Sequence, residues 1–158
     1  MTVFSRARTL GVNALAFIAV LAVAQFFSND GHARDELVMI NVAEAMATSE
    51  YANALDGSVR FYFGNSPHPA VAHRYGNFVT NKKTNAFAKP AGVACRHVLL
   101  SALIALQDQA KSLGGNAVVN IHSYFKKNEA SHDADAECYK GFLMAGVALK
   151  GDIVRLGN

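Results

Sequence analysis

The chain has 158 residues, with 15 Lys and Arg against 12 Asp and Glu for a net charge of +3. That length supports one domain with a modest core, and so mild an excess of base does not argue for a nucleic-acid partner. The apolar fraction of 51% is inflated by one N-terminal run, so it does not describe a membrane protein.

That run sets the compartment. Arg6 and Arg8 precede an uncharged apolar stretch over residues 14–27, and a polar exit ends at Ala33. A basic start, an apolar centre and a small-residue exit predict a secretory signal peptide over residues 1–33. Both Gly31-His32-Ala33 and Ala22-Val23-Ala24 satisfy the small-x-small cleavage pattern, and the polar Arg34-Asp35-Glu36 start favours Ala33. An uncleaved anchor is the alternative, although the run is shorter than the ~20 residues that span a bilayer. Removing Arg6, Arg8 and Asp30 with the leader leaves 13 bases and 11 acids, a net +2. The expected location is periplasmic or secreted, with membrane contact only through a retained leader. The two cysteines, Cys95 and Cys138, both lie beyond the leader, and an even count in an exported chain predicts a disulfide.

In chain order, Leu37-Val38-Met39-Ile40 reads as a strand. Asn41, three residues before Glu44, forms a capping signal for a helix from Val42 to about Leu55. Asp56-Gly57 marks a turn, and residues 59–63 alternate as a strand with Val59, Phe61 and Phe63 on one face. A strand over residues 72–80 and a polar connection over 81–85 follow. The clearest element is a helix over residues 95–113, with Leu99, Leu103, Leu106, Ala110 and Leu113 on one stripe and Gly114-Gly115 ending it. Residues 117–125 read as a strand, 126–137 as a polar loop, and 139–150 as a final strand with Leu143, Ala145, Val147 and Leu149 on one face.

Lengths bring the cysteines together. A helix of ~19 residues rises ~28 Å, and a nine-residue strand returns ~30 Å. The polar loop and the last strand therefore begin near the start of the helix, which puts Cys138 beside Cys95. The expected fold is α+β, a mostly antiparallel sheet with two helices packed on it and one disulfide.

The stretch from Ser131 to Cys138 concentrates polar chemistry. With Cys138 in a disulfide, His132, Asp133, Asp135 and Glu137 remain as donors, too few and without the glycine turn of a calcium loop. The default expectation is no cofactor and no metal, with His122, His132, Asp133 and Asp135 as the alternative ligand set. His122 shares a strand face with Asn120 and Tyr124. His97 follows Cys95 in the helix, and His68 and His73 stand five apart, a spacing that no usual ligand pair has. No catalytic residues emerge: Ser101 and Ser123 lack an elbow motif, and neither cysteine belongs to a Cys-x-x-Cys pair. Gly114-Gly115-Asn116 runs from helix to strand, the reverse of a phosphate loop, and no G-x-x-x-x-G-K-[ST] occurs. The aromatic and basic residues between Phe61 and Phe87 read as core aromatics and a solvated turn rather than a nucleic-acid surface.

Several motifs carry a resemblance. Phe61-Tyr62-Phe63-Gly64, His68-Pro69, the run over 80–87, Ser101-Ala102-Leu103-Ile104-Ala105-Leu106, the runs over 115–121 and 126–129, and Met144-Ala145-Gly146-Val147-Ala148-Leu149-Lys150-Gly151 resemble small exported bacterial proteins that carry the label "excinuclease ATPase subunit". The label does not fit this chain, which has no Walker motif and no zinc cysteine set. More distantly, the helix, Asn116-Ala117-Val118-Val119, His122-Ser123 and Cys138-Tyr139-Lys140 are similar to the RcsF envelope stress sensors and to YbjQ-like domains described as heavy-metal binders. That likeness implies the same Cys95–Cys138 pairing. The chain departs from RcsF in lacking the lipid-bearing cysteine and a second disulfide. The expected function is therefore a non-enzymatic envelope protein, a protein-binding or stress-response module whose partner would be another envelope protein. A periplasmic metal-binding protein is the alternative.

Overall fold

The computed structural model describes residues 35–157, which form one compact unit. The expected leader and its cleavage points lie outside the described residues.

Strand β1 (Glu36–Asn41) runs directly into α1 (Val42–Met46), and α2 (Ser49–Ala54) follows. Asn41 caps α1 as expected, its side chain accepting from Glu44 N–H at 3.0 Å. The single helix expected here is broken at Thr48. The Thr48 hydroxyl and amide both donate to the Ala45 carbonyl, at 2.8 and 3.1 Å, and close α1. The Thr48 carbonyl then accepts from Ala52 N–H and starts α2. The described residues consequently form three α-helices where two were expected.

Strand β2 (Arg60–Phe63) leads to β3 (Val71–Asn85), and then to α3 (Ala91–Leu113) and β4 (Ala117–Ser123). Helix α3 ends as its Gly114-Gly115 signal demands, with Gly114 left-handed at φ 80°. The expected polar connection over 81–85 is instead the last third of β3, paired with β6 as far as Asn85↔Met144. Its polarity is that of an edge strand, where charge is tolerated and useful.

A one-turn 3-10 helix (Phe125–Lys127) precedes β5 (Asp135–Lys140) and β6 (Met144–Leu156). Here two expectations are corrected. Asp135, Ala136 and Glu137 belong to β5 rather than to a loop, because they pair with Asn41, Ile40 and Met39 of β1. The expected strand over 139–150 is two strands, since Gly141 N–H donates to the Met144 carbonyl at 2.8 Å and reverses the chain. The hairpin then aligns Lys140 with Ala145 and Tyr139 with Gly146.

The sheet runs β1-β5-β6-β4-β2, with β3 on the other edge of β6; among the described residues only β2 and β4 pair in parallel. One edge of β6 is taken by β3 along its whole length. The other edge is shared, by β5 at its start and by β4 from Leu149 onward, so the sheet forks. Helix α3 covers one face, burying Val98, Leu99, Ala102, Leu103, Leu106 and Ala110 in one cluster with Val118, Ile121, Val147, Leu149 and Ile153. Leu113, on the same sequence stripe, is exposed at the end of the helix. A second, smaller cluster, Ala117, Val119, Val154 and Leu156, packs with Tyr62 and Val71. The α+β architecture with a mostly antiparallel sheet is as expected.

Candidate functional site

Cys95, in the second turn of α3, is bonded to Cys138 of β5, with Cα atoms 5.8 Å apart. The pairing is the one that helix and strand lengths predict. It closes a separation of 43 residues, which corresponds to about 4 kcal/mol in the chain-entropy picture. It also leaves neither sulfur as a thiolate ligand or nucleophile.

Side chains alternate along β5, so Ala136 and Cys138 enter the core under α3 while Glu137 and Tyr139 take the other face. Glu137 is only 8% exposed. One carboxylate oxygen lies 3.1 Å from His132 Nε2, and the other accepts from the Tyr139 hydroxyl at 3.0 Å. Burial pushes this carboxyl upward, but the Ser123, His132 and Tyr139 side chains and the His132 charge together hold it below the ordinary carboxylate value. Burial, and then Glu137 itself, raise the Tyr139 hydroxyl. The Phe125 ring stacks on Tyr139 at 3.7 Å and closes the network from outside. Ser123 Oγ faces the same carboxylate, fully buried and without a hydrogen bond of ordinary geometry. In a nucleophilic triad the histidine stands between serine and acid. Here the acid stands between serine and histidine, an order that orients β5 and does not activate Ser123.

Of the other polar residues of the stretch, Asp133 ties two loops together. Asp133 accepts from Asn65 N–H at 2.8 Å through its carboxylate and from the Ser66 hydroxyl at 3.0 Å through its carbonyl. Gly64 has φ +54°, and a Cβ there would collide with the Asp133 carboxylate. Asp135 pairs with Asn41 across the β1–β5 ladder. His122 Nδ1 lies 2.8 Å from the Asn120 carbonyl and its Nε2 3.7 Å from Glu129, which accepts from Lys150 at 2.7 Å. The ligand set His122, His132, Asp133 and Asp135 is thus divided among separate partners. Among the described residues, no three His, Cys, Asp or Glu side chains converge. His97 is exposed beside Glu50, while His68 and His73 pack on Tyr62 and Tyr75 respectively.

Among the described residues, the outer edge of β1 is left open. Val42 N–H donates to the Ala134 carbonyl at 2.9 Å, which sets the phase of the ladder. Even-numbered residues of β1 aim their backbone groups at β5, and Leu37 and Met39 aim theirs outward. Beside this edge runs a groove of about 350 Å³, lined by β1, by Glu44 and Thr48 of the α1 end, and by Gly92 and Arg96 of α3. Arg96 makes no ion pair among the described residues. The remaining sheet edges are protected in the usual ways. Strand β2 has four residues, and β3 carries Arg74, Lys82, Lys83 and an irregularity at Gly76. From Leu37 to Ile40, β1 has neither charge nor proline. The disulfide fixes one wall of the groove, because Arg96 adjoins Cys95 and Val38 pairs with Cys138.

Sequence reasoning found β1 but not this site. A strand's sequence does not say which of its edges is left free, and Arg96 is ordinary on a helix. The fold and this edge define a disulfide-bonded α+β domain with an open strand edge. No protein-family model, no curated protein and no solved structure matches the chain.

Proposed function

We propose that the chain is a non-enzymatic module of the bacterial envelope that takes an extended segment of a partner protein onto the free edge of β1. The observation that carries this reading is the unpaired, uncharged edge over residues 37–40 beside an open groove. An added strand would form main-chain hydrogen bonds with Leu37 and Met39, place alternate side chains in the groove, and bring an acidic group to Arg96. Export is supported by the leader pattern and by a disulfide, which persists in oxidising compartments. The non-enzymatic reading is supported by the triad order at Ser123, which offers no activated nucleophile. The likeness to envelope stress sensors suggests that the bound segment reports on envelope assembly.

The test is in-cell photo-crosslinking. A photo-reactive side chain at Met39 should cross-link one defined protein, and the same group at Lys82 on the β3 edge should not. Met39→Pro removes an outward N–H and no bond to β5, so it should abolish partner capture while the fold and disulfide persist. Equal labelling from both edges, or capture that survives Met39→Pro, would refute strand addition.

A further inference from the structure

The β5–β6 hairpin ends in an unusual turn. Two-residue turns favour Gly, Asn and Asp at their centre. Here the central residues are Phe142 and Leu143, 73% and 58% exposed. Met144 follows, also exposed, and the exposed Phe87 from the β3–α3 connection packs edge-to-face on Phe142 at 5.5 Å. The tip is firmly held, since Ala86 N–H donates to the Leu143 carbonyl at 2.8 Å. Phe142, Leu143 and Met144 of this braced hairpin and Phe87 of the adjoining connection therefore present four exposed apolar side chains at one end of the domain.

Two further observations say what covers them. Lys89 follows Phe87 and Lys83 pairs with Gly146 of β6, so two cations border the tip on its β3 side, while Lys140 stands opposite Glu36 in the β1–β5 ladder. Asp35 and Glu36 lie at its β1 side. The chain also enters the domain here: a Cβ placed on Gly141 would stand 2.9 Å from the Asp35 carboxylate. Only residues 28–34 separate Asp35 from the uncharged apolar run over 14–27, a span of at most about 24 Å. Before cleavage, a leader in the bilayer would keep Asp35 within that distance of the lipid.

We propose that the tip formed by Phe87, Phe142, Leu143 and Met144 inserts into the surface of an anionic lipid bilayer. A projecting apolar tip bordered by lysines suits a headgroup layer, where apolar groups sink below the charge and ammonium groups meet lipid phosphates. The β1 edge plays no part in this contact, so the two proposals fail separately.

Vesicle flotation tests it, with the chain from Arg34 onward, which carries the whole core and the disulfide. It should float with vesicles of phosphatidylglycerol and phosphatidylcholine, and far less with phosphatidylcholine alone. Phe142→Ser with Leu143→Ser should cut the bound fraction roughly tenfold, with the far-UV spectrum and the disulfide unchanged because both side chains are exposed. Met39→Pro should leave flotation unaltered. Absence of flotation with either vesicle, or flotation that the double substitution does not reduce, would overturn the proposal. Loss of a protein contact in the double variant, with no lipid binding by the wild type, would reassign the tip to a protein partner.

Discussion

Glu137 is the residue on which the polar chemistry of the domain turns. It is a buried acid on a strand face that composition alone would make apolar, held by His132 and Tyr139 and faced by Ser123. Its folded pKa lies below the ordinary 4.5. A depressed carboxylate contributes stability that is present above its unfolded value and is lost as pH falls through the folded one. The domain should therefore lose stability below pH 4.5, and Glu137→Gln should flatten that acid limb, with the Glu129 and Asp56 carboxyls supplying the rest because Lys150 and Lys111 hold them low. Glu137→Ala, which strands the Tyr139 hydroxyl, should cost about 1–3 kcal/mol at neutral pH. Denaturant midpoints measured against pH would check both, and parallel curves for wild type and Glu137→Gln would contradict the assignment. None of this was readable beforehand. Ser131 to Cys138 shows its donors openly, but what Glu137 touches depends on the ends of β4 and β5 meeting at a fork. Cys138 was readable, because its partner follows from two lengths along the chain.

At the scale of elements, the C-terminus of α3 combines a conformational and a packing demand. Gly114 is left-handed, and its carbonyl accepts from Tyr75 Oη at 3.2 Å and from Arg155 Nη2 at 2.9 Å. Gly115 is crowded differently: a Cβ there would stand 2.9 Å from Ile153 Cγ2 and 3.0 Å from the Val154 carbonyl oxygen. Gly114→Ala should cost about 1–2 kcal/mol, and Gly114→Asn less, since asparagine tolerates the left-handed region. Gly115→Asn should be no better than Gly115→Ala, because strand backbone blocks any side chain. Thermal unfolding of the four variants would separate strain from crowding. This helix end was legible because apolar spacing and Gly-Gly agree. The β5–β6 turn was not, because Gly141-Phe142-Leu143 lacks polar turn residues and continues the apolar alternation of the strands. The tail of β3 was missed for the opposite reason: an edge strand exposed to solvent reads as a loop.

Across the whole molecule, the strands are unequally attached. Strand β6 is flanked by β3 along its length and by β4 over its second half, and α3 packs over them. The β1–β5 pair is joined to that body through two paired positions, Tyr139↔Gly146 and Lys140↔Ala145. Strand β1 has no other strand neighbour among the described residues. What ties this pair to α3 covalently is Cys95–Cys138. Reduction should lower overall stability by about 2–5 kcal/mol, and its local effect should be uneven. Hydrogen exchange should accelerate first in residues 36–41 and 135–140, while the β3–β6–β4 ladder and α3 keep their protection until global unfolding. The groove would then lose its fixed wall, because Val38 and Arg96 are held in register by the same bond. Partner cross-linking from Met39 should fall with reduction in step with exchange in β1, at reductant levels that leave β6 protected. A uniform rise in exchange across all six strands would mean that the sheet opens as one unit and that the bond stabilises the fold without shaping the edge.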